Sequence, residues 1–255
     1  MTLMDANLAD QIKLLLVTLW EAERKPSVRA WAIYVALTFA INKFPEVNKR
    51  EIWKLIQDEY TGNLLASFPE QREPGQSYRR ASGDAWEMFV EEYLNSNDVL
   101  RREGIRAVRL SGQDFDRVVA ALNAEELRPK DVDFFLQGVK QDGTLQVFGA
   151  LFPKASYAER IRADEATSRR LMDTGLWCAT ITLDAREELG TEQNPSVKRR
   201  TINSGAFHGC YSFNEHTEPG PKVHIVQCTV RGKRNPLVRD ISKAWQARID
   251  GQNAK

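Results

Sequence analysis

Two residues stand out for the chemistry they could share. Asp133 falls within an apolar run, Asp131 to Val139, that reads as a strand. A second run, Thr144 to Leu151, leads directly to Lys154. Lys140-Gln141-Asp142-Gly143 separates them, and Asp-Gly between apolar runs is a hairpin signal. Antiparallel neighbours joined by a tight turn bring the side chains at their outer ends to one edge. A carboxylate there can hold Mg²⁺, an oxygen-loving cation that keeps several waters. A lysine, with an ordinary pKa of about 10.4, stays cationic beside it. Such a pair suits metal-dependent hydrolysis of a phosphodiester. The metal lowers the pKa of a bound water, and the ammonium offsets charge on the phosphorane. An Asp and a Lys flanking a hairpin are also common as solvated edge residues, so the pair needs companions.

Three features supply them. Glu87 lies on an upstream helix with an apolar face, in Gly83-Asp84-Ala85-Trp86-Glu87, and could join Asp133 around the metal. Phe152, two positions before the lysine, cannot bind metal, but Asp164 and Glu165 lie on the helix that follows. An acid displaced onto that helix could replace one on the strand. Glu165 is preferred for reach, and Asp164 stays open. Glu159-Arg160 sits just past the lysine. Arginine pairs bidentately with guanine O6 and N7, and glutamate accepts from cytosine N4, each good pair giving about 1–3 kcal/mol of discrimination. As a plain surface ion pair the two would contribute little.

These residues need elements to hold them. Leu8, Ile12, Leu15, Leu16 and Leu19 make one helical stripe, and Val28 to Ile41 makes a second after Pro26. Asn48 is a plausible N-cap for a third helix, with Glu51 three residues on. Ser67 to Gln76, with Pro69, Pro74 and Gly75, reads as a linker. A helix from about Ala81 to Leu94, a short apolar run at Ile105 to Leu110 and a helix from Gln113 to Leu122 follow. After the hairpin come a charged helix from Ser156 to Thr174 and strands at Trp177 to Leu183, His208 to Phe213 and Val223 to Val230. A helix over Asp240 to Ile249 closes the series. The order suits an α/β (α+β) core carrying an N-terminal helical module. The expected division is a module over residues 1–70 and a catalytic domain over 77–255.

Composition narrows the class. Of 255 residues, 36 are Lys or Arg and 35 Asp or Glu, a net charge of +1, so bulk charge alone does not hold this chain to nucleic acid or membrane. No apolar run reaches the roughly 18 residues of a spanning helix. Acids precede the first apolar stretch, which is wrong for a secretory signal. Cys178, Cys210 and Cys228 form no CxxC pair, and the expectation is a reduced, cytoplasmic, globular protein. His208, His216 and His224 do not have zinc-ligand spacing. No GxxxxGK[ST], GxSxG or HExxH motif occurs.

Further motifs lie in order with the Asp133 and Lys154 pair. They are Phe44-Pro45-Glu46-Val47, Glu51-Ile52-Trp53-Lys54, Ser82 to Glu87, Val147-Phe148-Gly149-Ala150, Lys154-Ala155-Ser156, Glu159-Arg160, Ile181-Thr182-Leu183-Asp184 and Asn203-Ser204-Gly205. Together they resemble the PD-(D/E)XK restriction endonucleases, in particular the branch reading CCGG, CCNGG and related sites. In that branch an R-(D/E)-R element follows the catalytic lysine. The resemblance implies a mixed central sheet flanked by helices. It also implies a type II endonuclease that cuts double-stranded DNA at a short palindromic site with a C/G core and leaves 5′-phosphates. Homodimer or tetramer assembly and a cognate DNA methyltransferase as functional partner belong to the same expectation, two-fold symmetry matching a palindrome. On this resemblance Asp133 is a metal ligand, Lys154 the catalytic lysine and Glu87 the helix carboxylate near a second metal position. Glu165 or Asp164 is the displaced acid, and Glu159 and Arg160 read bases. Two departures stand out. Ala158 replaces the first arginine of R-(D/E)-R, which removes one guanine contact, and Phe152-Pro153 precedes the lysine.

DNA binding also needs phosphate contacts. Ser156, Lys198-Arg199-Arg200 in an expected loop after Asn194-Pro195, Asn203 and His208 are the candidates, with Arg79-Arg80 and Arg231-Gly232-Lys233-Arg234 as further basic clusters. Two other classes fit less of the sequence. A non-catalytic DNA-binding regulator would need a basic helix, and Lys49, Arg50 and Lys54 are set against Glu46, Glu51, Asp58 and Glu59. A repair nuclease of the same fold would not need Glu159-Arg160.

Overall fold

A computed structural model describes residues 3–22, 26–64, 74–156, 161–227 and 235–253. The chain divides into two compact units, residues 1–90 and 91–255. Most of the expected linker, residues 67–73, lies outside the described residues, and Pro74 already opens a helix.

The first unit contains α1 (Leu3–Ala22), α2 (Pro26–Lys43), α3 (Lys49–Glu59) and most of α4 (Pro74–Asn95). The apolar stripes pack α1, α2 and α3 on one another, burying Leu8, Ile12, Leu16, Ile33, Leu37, Ile52 and Ile56. Asn48 caps α3 as its sequence suggests, its side chain accepting from Arg50 N at 3.0 Å. Trp86 on α4 meets Trp53 edge-on and stacks on Phe89. Lys49 is buried, and its Nζ donates to Pro45 O at 2.9 Å. That cation is therefore used inside the module, which weakens α3 further as a DNA-reading helix.

The second unit is built on one mixed sheet. After α5 (Asp98–Arg102) come β1 (Ile105–Val108), α6 (Gly112–Ala121), β2 (Phe134–Val139) and β3 (Leu145–Lys154). Then follow α7 (Ile161–Asp173), β4 (Trp177–Thr182), α8 (Val197–Thr201), β5 (Gly209–Ser212), β6 (Val223–Ile225) and α9 (Pro236–Asn253). The strand order is β1-β2-β3-β4-β5-β6; the first three are antiparallel and β3 to β6 are parallel. Residues 140–144 form the expected tight turn. Gly143 takes φ +82°, and Asp142 Oδ1 accepts from Thr144 N at 2.9 Å.

Alternation on the strands sends Phe135, Ala150, Phe152, Cys178 and Cys210 into one core with Ile161 and Leu171 of α7. The opposite face receives α9, whose Trp245 lies against Phe148. Burial pushes the Cys178 thiol up to about 12, so it stays protonated and unreactive. Cys210 is also buried, and Cys228 lies outside the described residues. Among the described residues no helix is long and apolar enough to cross a membrane.

Candidate active site

The parallel order of β3 to β6 puts all their C-terminal ends on one edge of the sheet. Lys154 is paired with Thr182 there, and Thr182 with Ser212. Asp133 reaches the same edge from the antiparallel side. It sits in a bend immediately before β2 rather than within the strand. The ladder step Phe134↔Leu151, continued by one, sets Asp133 opposite Phe152. Lys154 is two residues beyond Phe152, so both side chains emerge on the same face. Lys154 Nζ donates to Asp133 Oδ2 at 2.5 Å, with both side chains about five-sixths buried (15% and 17% exposed). Bonds in which both partners are charged are stronger than neutral ones.

The second acid comes from α7. Asp164 is the fourth residue of that helix, and its Oδ2 lies 3.8 Å from Lys154 Nζ. Ile161 and Leu171 anchor α7 in the core and so fix which face Asp164 presents. An acid in a first helical turn is also favoured by the helix dipole. Glu165, the residue preferred from sequence, is not the one brought to Lys154. Its Oε1 accepts from Nε and Nη2 of Arg169, both at 3.1 Å, one turn along the helix. Arg169 also donates to Ser204 Oγ at 3.0 Å, which holds the glutamate along α7. Asp164→Asn is therefore expected to cost more than roughly 100-fold in cutting, since even outer-shell partners of a metal are worth about 10–100-fold. Glu165→Gln should stay near the wild-type rate. Equal losses in paired rate measurements would return both acids to the site.

Phe152 fills the position where a strand acid would stand. It is fully buried edge-on to Phe207, and its carbonyl accepts from Thr180 Oγ1 at 3.0 Å. Pro153 is tolerated because β2 begins opposite Leu151, so the last residues of β3 have no partner on that side.

The other sequence candidates are distributed differently. Glu87 stands half-buried on the part of α4 that belongs to the first unit. Ser156 is half-buried at the end of a described stretch, and Glu159 and Arg160 lie outside the described residues. Lys198, Arg199 and Arg200 are on the short helix α8, not in a loop, because Ser196 accepts from Arg199 N and caps a helical turn there. Arg199 is wholly buried and donates to Glu192 and to the carbonyls of Gly190, Glu218 and Pro219. It is therefore closed to a DNA phosphate in this structure. Lys198 is paired with Glu188 at 2.5 Å, while Arg200 and Asn203 are exposed. His208 sits at the opposite end of the strands, where its N donates to Cys178 O. Four residue steps of about 3.3 Å, or roughly 13 Å, separate that level from Thr182 beside Lys154. Its Nδ1 accepts from Cys178 N at 3.0 Å, and burial lowers its pKa, so it offers no cation near the site.

Sequence reasoning singled out Ile181-Thr182-Leu183-Asp184 as a motif but missed the polar network that Asp184 anchors beneath the same edge. Asp184, just past β4 with φ +46°, accepts from Thr217 Oγ1 at 2.9 Å and from Glu188 N at 2.7 Å. Thr217 Oγ1 lies 2.8 Å from Ser212 Oγ. Burial raises the Asp184 pKa, partly offset by the Thr217 hydroxyl. Thr and Asp at a strand end carry no pattern that would have marked them as buried.

Comparison with known proteins decides the family. No protein-family model matches the chain. Over 219 residues it is 32% identical to the type II restriction enzyme AgeI of Thalassovita gelatinovora, covering 76% of this chain and 75% of that one. The chain belongs to the type II restriction endonucleases. As a family member it is a site-specific deoxyribonuclease. A crystal structure of the specific AgeI–DNA complex matches it with TM-score 0.76 and 25% identity, over 93% of this chain and 91% of that one. A pre-specific BsaWI–DNA complex matches with TM-score 0.49 and 18% identity, over 97% and 94% of the two chains. The mixed sheet flanked by helices is thus the restriction-endonuclease fold.

Membership in the family implies a divalent metal cofactor. Among the described residues no three His, Cys, Asp or Glu side chains converge on one point. The donors that do share the edge are the carboxylates of Asp133 and Asp164. Oxygen-only ligation by one or two carboxylates, completed by water and substrate phosphate, is what a hard octahedral cation takes. The residues present therefore fit such an ion.

Proposed function

We propose that this endonuclease cuts double-stranded DNA at the edge carrying Asp133, Lys154 and Asp164, with Mg²⁺ as its metal. One observation carries this reading: a single ammonium held between two carboxylates where β3 and the approach to β2 end together. Asp133 and Asp164 would hold the ion; Glu87, the helix carboxylate of the family resemblance, belongs to the first unit. When bound, the ion would supply Lewis acidity to the phosphoryl oxygens and a nucleophile at neutral pH. Lys154 donates to a non-bridging oxygen and offsets the negative charge that grows on the phosphoryl oxygens. Water attacks in line, the bond from phosphorus to the 3′ oxygen breaks, and a 5′-phosphate and a 3′-hydroxyl remain.

Glu159 and Arg160 are proposed as base readers at a short palindrome with a C/G-containing core, in a homodimer or tetramer whose symmetry matches the site. Ser156, Lys198, Arg200 and Asn203 remain proposed backbone contacts. A cognate DNA methyltransferase would protect the host sites. A buried free thiol at Cys178 suits a reducing, cytoplasmic setting.

The test is plasmid digestion with Mg²⁺ or with chelator, alongside Asp133→Asn. Discrete bands that need metal and vanish in the variant support the reading, and sequencing their ends gives the site. Smearing, cutting of branched DNA alone, or wild-type cutting by the variant would refute it.

A further inference from the structure

We infer that Arg109 is a DNA-backbone contact of this enzyme, standing beside the catalytic edge on the other face of the sheet. The inference rests on the reading that the scissile phosphate sits at Asp133 and Lys154. The β1–β2 ladder ends at Val108↔Phe135. Continued by one step, it sets Arg109 against Phe134, and by two steps Leu110 against Asp133. The Cα of Arg109 is then roughly 6 Å from that of Asp133, one strand spacing across and one residue along.

The side chain is held ready at that place. Its guanidinium carbon lies 4.6 Å from the centre of the Phe134 ring, which is fully buried and therefore immobile. Its Nε donates to Glu91 Oε2 at 3.2 Å. Stacking fixes the plane of the fork and the carboxylate fixes its rotation, while 44% of the side chain remains exposed. Glu91 is 36% exposed, and exposed ion pairs of this kind contribute little, so a phosphate can take its place at small cost. Arginine suits that exchange because its planar fork meets phosphate oxygens bidentately.

The position also answers a need of the site. Among the described residues, the carboxylates of Asp133 and Asp164 share the edge with Lys154. A DNA strand running along this edge carries further phosphates, and a cation one strand over draws the backbone in without touching the bases. The effect is independent of sequence, because phosphate contacts position the duplex and base contacts specify it.

Salt titration of binding tests this. Binding of a labelled duplex with the cut site, and of one with unrelated sequence, is measured in chelator so that neither is cut. Each phosphate contact contributes about −0.9 to the slope of log K against log salt. Arg109→Gln should lose close to one such contact on both duplexes. Arg109→Lys should keep the wild-type slope, and Glu91→Gln should keep the slope and bind more tightly. A wild-type slope in Arg109→Gln, with or without a lowered Tm, would make Arg109 a structural pin and overturn the inference. So would a loss confined to the cut-site duplex, or weaker binding by Glu91→Gln if Arg109→Gln fails to fold. Failure of the underlying reading shows separately, as wild-type cutting by Asp133→Asn.

Discussion

Lys154→Ala is expected to cut duplex DNA at least about 10³-fold more slowly, the scale of one lost transition-state stabiliser, and at the same time to bind divalent cations more tightly. The two effects have one origin. Lys154 Nζ is the positive charge shared by Asp133 at 2.5 Å and Asp164 at 3.8 Å. All three side chains are mostly shielded from water, so salt screens their interaction poorly. Removing the ammonium takes away the cation that both carboxylates approach. The variant should therefore melt at lower temperature in chelator than the wild type. Added Mg²⁺ should restore most of that loss, because a ligand that binds only the folded state stabilises it by mass action. Cutting should not return, because the ion does not replace the group that meets the phosphate. Calorimetric melting with and without Mg²⁺, beside a cleavage time course, reads both. A variant whose Tm is indifferent to Mg²⁺ would remove the two acids from the metal site, whatever its activity.

How far the sequence led follows from the range of the forces involved. Asn48 and Asp142-Gly143 were readable because a cap and a tight turn are local: one side-chain oxygen and one backbone conformation decide each. The place of Lys154 at a strand end was readable for the same reason, since a turn and an apolar run fix where the strand stops. The choice between Asp164 and Glu165 was not. Adjacent residues on a helix point about 100° apart, and the facing one depends on where Ile161 and Leu171 lock into the core. Arg169 then draws Glu165 along the helix, a contact visible in sequence only once the helix and its start are known. Asp133 lies just ahead of β2 because the strand begins where its pairing with β3 begins, at Phe134↔Leu151. Arg109 escaped notice because its significance comes from register across two strands, which no single run of residues encodes.

The run Lys198-Arg199-Arg200 shows the same limit most sharply, and Arg199→Ala should have the largest effect on stability outside the core. Three consecutive basic residues suggest a solvated, phosphate-seeking surface. In the fold the middle one is sealed at 0% exposure between two segments that leave the catalytic edge. Nε and Nη2 hold Glu192 at 3.0 and 2.8 Å, Nη1 holds Gly190 O at 2.9 Å, and Nη2 holds Glu218 O at 2.8 Å. The guanidinium thereby ties the segment after β4 to the segment after β5. Gly220 has no room for a side chain against Glu192 and Arg199, so the packing is tight on that side too. Alanine would leave three carbonyls and the Glu192 carboxylate, itself 36% exposed, without the buried guanidinium that joins them. Breaking a fully buried pair costs about 3–5 kcal/mol, and with Glu192 partly solvated the loss falls at the lower end, about 3 kcal/mol. At about 2–4 °C per kcal/mol for a domain of this size, Tm should fall by roughly 6–12 °C. Arg199→Lys should recover only part of this, since an ammonium cannot reproduce the fork. The DNA-binding measurement separates the two roles of the run. Arg199→Ala, measured below its own Tm, should keep the wild-type salt slope, whereas Arg200→Ala, on an exposed residue of the same helix, should reduce it while leaving Tm within a degree or so. A reduced slope in Arg199→Ala with an unchanged Tm would mean that the buried arginine opens to meet DNA.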